Sequence, residues 1–96
     1  MEVIGSGLPN GQWATGIPMN SVSQDDMKWE IEQEFGGGNV KFRANNEWVL
    51  DWGAGEEDPR KLVFKGGNIP VQKGRYLVRI NIDANTYSFT PVSREN

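Results

Sequence analysis

The sequence predicts an all-β protein, an antiparallel β-sandwich of about seven short strands, and three observations predict it. Apolar and polar residues alternate with a period of two in several stretches, as in strands with one buried and one wet face. Clusters of Gly, Pro, Asn and Ser punctuate the chain at frequent intervals, as turns between short strands do. No stretch carries a convincing helical period, and neither internal repeats nor low-complexity segments are visible.

In order, Glu2 to Gly5 is a short apolar run ending in glycine, which suits a first strand. Ser6 to Asp26 is rich in Gly, Pro, Asn, Ser and Gln, which predicts a long loop holding at most a short strand. Loops of that length tend to be functional, and this one carries a single large aromatic, Trp13. Met27 to Phe35 alternates Met27, Trp29, Ile31 and Phe35 against Lys28, Glu30, Glu32 and Glu34, a strand with one wet face. Gly36-Gly37-Gly38-Asn39 makes a tight connection.

Residues 40 to 53 then read as a hairpin around Asn45-Asn46, a pair that tolerates the positive φ of a two-residue turn. With that loop, Ala44 faces Glu47, Arg43 faces Trp48, Phe42 faces Val49 and Lys41 faces Leu50. The register gives two unlike faces. Val40, Phe42 and Val49 form a core face, while Lys41, Arg43, Trp48 and Trp52 gather on the other. Beyond it, Ala54 to Arg60 is an acidic loop with Pro59, and Lys61 to Lys65 a short strand through Leu62 and Phe64. Gly66-Gly67 breaks that strand, and Asn68 to Val71 is an edge segment because Pro70 has no N–H to donate. Arg75 to Asp83 is strongly strand-like, with Tyr76, Val78, Ile80 and Ile82 on one face. After a turn at Ala84-Asn85, Thr86 to Val92 returns with Tyr87 and Phe89 alternating against Ser88 and Thr90.

Composition excludes several classes of chemistry. A chain of 96 residues suits one domain, able to bury roughly 60–65% of the surface its unfolded form exposes. Ten basic and thirteen acidic residues give a net charge of -3 with the basic ones scattered, which argues against a nucleic-acid partner. There is no cysteine, so disulfides, thiol nucleophiles and thiolate metal sites are excluded. There is no histidine, which removes the commonest general base and the commonest metal ligand. No apolar run approaches the roughly 20 residues of a membrane helix, and the first residues lack the pattern of a signal peptide.

The four tryptophans divide between packing and surface. Trp29 shares its face with Met27, Ile31 and Phe35 and reads as core, the default for a large aromatic. Trp48 and Trp52 share theirs with Lys41 and Arg43, and long cations are rarely buried without partners. Two cations beside two indoles make a surface that stacks a flat polar ligand such as a sugar ring: the apolar ring face lies on the indole while hydroxyls meet donors at the rim. Asn45, Asn46 and Asp51 can add contacts. Trp13, in its loop with few apolar neighbours, leans towards exposure. Catalysis lacks comparable support. Glu56, Glu57 and Asp58 form a run with no spacing that singles out the carboxylate pair a glycosidase needs, and read as a solvated loop. Gly36-Gly37-Gly38 lacks the lysine and helix of a phosphate-binding loop.

The words Val40-Lys-Phe-Arg-Ala-Asn-Asn-Glu-Trp48 and Trp52-Gly53 resemble the repeated domains of SusE and SusF, surface starch-binding lipoproteins of glycan-foraging Gram-negative bacteria. Gly66-Gly67-Asn68-Ile69-Pro70-Val71, Gly74-Arg75-Tyr76 and Thr86-Tyr87-Ser88 look like the closing half of such a domain, and Gly5-Ser6-Gly7 with Trp13 like its opening. The resemblance spans nearly the whole chain. It implies an immunoglobulin-like sandwich that binds α-glucan without cleaving it, through Trp13, Trp48 and Lys41 with Trp52 and Arg43 close by. It further implies one domain, residues 1–96, excised from a longer protein on the extracellular face of the outer membrane, monomeric and working beside other domains of its chain and other glycan-uptake proteins. The lipid-anchoring cysteine of such proteins is absent from this sequence. The expectation is therefore non-catalytic carbohydrate binding, with no cofactor, no metal and no catalytic residue. A ligand-free spacer of the same fold is the first alternative, and a glycoside hydrolase fragment the second.

Overall fold

The computed structural model describes residues 1–9, 12–24, 27–44 and 47–92, and of 12, 14, 15 and 47–49 the backbone alone. The described residues form ten strands and no helix. These are β1 (Glu2–Gly5), β2 (Gln12–Pro18), β3 (Asn20–Ser21), β4 (Lys28–Phe35), β5 (Gly38–Ala44), β6 (Glu47–Ala54), β7 (Leu62–Phe64), β8 (Ile69–Val71), β9 (Gly74–Asn81) and β10 (Thr86–Pro91). The excess over about seven comes chiefly from Ser6 to Asp26, expected as a long loop: it holds β2, seven residues long, and the two-residue β3, because pairing with β1 and β4 orders a stretch whose own composition favours turns.

The strands build two antiparallel sheets packed as a β-sandwich. One holds six strands in the order β2-β1-β5-β6-β7, with β8 also on β5, and the other runs β10-β9-β4-β3. Alternation decides what lies between them. Val3, Val40, Phe42, Ala54 and Leu62 face inward from the first sheet, and Phe35, Val78 and Ile80 from the second, all buried. Phe89 links the layers, its ring 5.7 Å from Phe35 and 6.5 Å from Phe42. The polar face of β4 is wet as expected. Glu30 and Glu32 pair there with Arg79 at 3.2 Å and Arg75 at 2.6 Å, exposed contacts worth about 0–1 kcal/mol each.

Chain passage from the second sheet to the first is made at Gly37 and Gly38, with φ of +88° and +145°. A side chain at Gly38 would meet the Gly7 nitrogen at 2.9 Å, so glycine is required there by space as well as by backbone conformation. Ser6 Oγ accepts from the Asn39 N–H at 3.1 Å, and the Gly7 N–H donates to the Asn39 carbonyl at 2.9 Å, fastening the corner to the end of β1.

Candidate functional site

The hairpin of β5 and β6 is where the structure departs from the sequence reading. Ala44 does face Glu47, but the next pairs are Arg43 with Asp51 and Phe42 with Trp52. Residues 48–50 of β6 therefore have no partners on β5. An odd number of inserted residues turns everything beyond it to the opposite face. The expected pairings of Arg43 with Trp48, Phe42 with Val49 and Lys41 with Leu50 do not form. Trp52 consequently shares a side with Phe42 and packs half-buried against the core, not beside Lys41 and Arg43. The physical reason is legible in the discarded register, which would have set Asp51 opposite Val40, a carboxylate among core side chains. The insertion carries Asp51 out to the cations and Trp52 in.

The outer face of the six-stranded sheet is accordingly a network of paired charges. Arg43 Nε donates to Glu2 Oε2 at 3.0 Å across the β1–β5 pairing, with Arg43 only 5% exposed. Lys41 Nζ lies 2.6 Å from Asp51 Oδ1 and Lys65 Nζ 3.0 Å from Oδ2. Asp51 is 3% exposed. Burial works to raise its pKa, but the two ammonium groups outweigh it and hold the carboxyl below its ordinary range.

Lys65 is held unusually. Its φ of +62° is left-handed, a conformation that costs a residue with a side chain about 1–2 kcal/mol, and its N–H donates to the Asp51 carbonyl at 2.8 Å. The turn leaves Lys65 48% exposed, with Nζ 5.9 Å from the centroid of the Phe64 ring. Phe64, 51% exposed at the sheet edge, stands edge-to-face with Trp52 at 5.4 Å. A surface exposed at Phe64 and Lys65 thus connects inward to Trp52 on one side and, through the buried Asp51, to Lys41 on the other.

Of the sequence-derived candidates, Trp52 and Lys41 join this surface and Arg43 lies in the buried pair with Glu2. Trp13 is half-buried on β2, where residues 13–16 stand opposite the single residue Ile4. Trp48 belongs by backbone to the 48–50 insertion, and its side chain lies outside the described residues, as do Asn45 and Asn46. Sequence reasoning missed Phe64 and Lys65 as site residues. Their one signal was an aromatic beside a lysine just before Gly66-Gly67: Phe64 shares its side with the buried Leu62 and is exposed because it ends a short edge strand. No group of acidic side chains among the described residues is arranged to hold a metal ion. Comparison with family models, with curated proteins and with solved structures returned no match in any of the three. The fold and this surface define a small all-β sandwich with an aromatic and cationic edge.

Proposed function

We propose that this chain binds carbohydrate without cleaving it, at the edge formed by Trp52, Phe64, Lys65, Asp51 and Lys41. One observation carries the reading: an exposed ring, a second ring behind it and an ammonium group held beside them by a strained backbone and a buried carboxylate. Ring faces suit the C–H side of a pyranose, and lysine donors suit its hydroxyls. The likeness to SusE and SusF makes α-glucan the first ligand to test, with a place on the outer face of the outer membrane and neighbouring glycan-uptake proteins as partners. Stacking worth about 0.5–1.5 kcal/mol per ring pair fits a site that holds a polymer weakly and reversibly. Affinity electrophoresis through starch-containing gels should retard the protein, and Phe64→Ala should abolish most of the retardation. Migration unchanged across a panel of polysaccharides would leave the spacer reading, which the commitment of Arg43 to Glu2 favours. Release of reducing sugar would instead make the chain an enzyme.

A further inference from the structure

A concavity lined by none of the residues of that platform lies between β8 and β10. Its volume is about 340 Å3, at the lower end of the roughly 300–1,000 Å3 typical of ligand pockets. Tyr76, Tyr87 and Phe89 line it beside Pro59 and Pro70, and Phe89 stands edge-to-face with both tyrosines, at 6.1 Å from Tyr76 and 6.0 Å from Tyr87. The Tyr87 hydroxyl donates to the Pro59 carbonyl, which ties the acidic loop to the groove wall. Arg60 and Gln72 stand exposed at the rim.

Three features narrow the occupant. Pro70 within β8 and Pro91 at the end of β10 lack N–H donors, so neither strand offers an uninterrupted ladder to an incoming peptide. Arg60, the one charged residue lining the groove among the described residues, already donates to Asp58 at 3.2 Å, which leaves a floor suited to a neutral ligand. Flat apolar rings below donors at a rim match a neutral hydroxylated ring with two unlike sides.

From these we infer that the groove between β8 and β10 is a second carbohydrate subsite, taking a neutral pyranose unit on Tyr76, Tyr87 and Phe89 with Arg60 and Gln72 at its edge. The inference rests on the carbohydrate reading above. Two platforms on different parts of one small domain let it hold a polymer at two points, which strengthens the capture of long chains over short ones.

Amide NMR titration with maltoheptaose tests it, because each platform reports through its own backbone. Shifts at 71–72, 76 and 87–89 that persist in Trp52→Ala, and that weaken roughly two- to tenfold in affinity in an Arg60→Ala, Gln72→Ala variant, support the subsite. These rim side chains are exposed, so the double variant leaves the core intact. Shifts confined to 52 and 62–65 overturn the subsite and leave the first platform standing. Groove shifts produced by a proline-rich peptide but by no oligosaccharide overturn it as well. An absence of shifts with every member of an oligosaccharide panel sinks both readings.

Discussion

At the level of single side chains, charges that a solvent-facing sheet would normally leave wet are here withdrawn from water and matched. Glu2 and Arg43 show why the matching counts. Removing one member of a buried pair strands the other and typically costs about 3–5 kcal/mol, whereas replacing both with apolar residues is often neutral. Arg43→Ala should therefore lower unfolding stability by about 3–5 kcal/mol in urea, and Glu2→Leu combined with Arg43→Met should recover most of it. Full cost in the double variant would show that the pair matters for some reason other than charge. Asp51 makes a pH statement. Its folded pKa lies below the 3.8 of an ordinary aspartate, so the unfolded chain takes up the proton first as acid is added. Its contribution is complete above about pH 4 and fades as pH falls through the depressed value. Asp51→Asn should thus flatten the acid limb of the stability profile below pH 4, and an unchanged limb would place the acid sensitivity elsewhere.

Among the elements, β6 decides the arrangement of the candidate surface. Its first pair with β5 is the one a two-residue turn dictates, and the 48–50 insertion then exchanges the two faces. Further along, β6 meets the segment leading to β8: Ala54 and Gly67 exchange backbone hydrogen bonds at 2.9 and 2.8 Å. Gly53 makes this approach possible, since a Cβ there would stand 2.0 Å from the Gly67 carbonyl oxygen. Gly53→Ala is accordingly expected to push the two segments apart and cost about 1–3 kcal/mol, read as a lower melting temperature with loss of amide protection at Ala54 and Gly67. Retained protection at both would mean that the backbone yields there without loss of pairing. Alternation along β4, β9 and β10 was readable directly because each residue has a partner in turn, and Trp29, Val78 and Ile80 fell where the pattern put them. Alternation along β6 was not, because a local pattern carries no count of inserted residues. A clue existed in Asp51, which the uninterrupted register would have aimed at the core.

Across the whole molecule, stability depends on the meeting of two sheets over one cluster of rings and aliphatic side chains. Phe42 reaches Phe89 of the other sheet, so Phe42→Ala should cost about 3–5 kcal/mol and do so in one transition, with tryptophan fluorescence and far-ultraviolet circular dichroism coincident. Separate transitions would show that the sheets melt independently. The same closure creates the groove between β8 and β10, whose lining comes from segments far apart in sequence. The order of residues alone determined the all-β class, most strand positions, the wet face of β4 and the absence of thiol and imidazole chemistry, because these follow from side-chain identity and short-range periodicity. Only the folded chain decided that Arg43 is locked to Glu2, that Trp52 turns towards the core, and that Phe64 and Lys65 come forward beside it. Those outcomes depend on which strand meets which and in what register, and register is set by satisfying buried charge and filling the core together, a condition no single stretch of sequence contains.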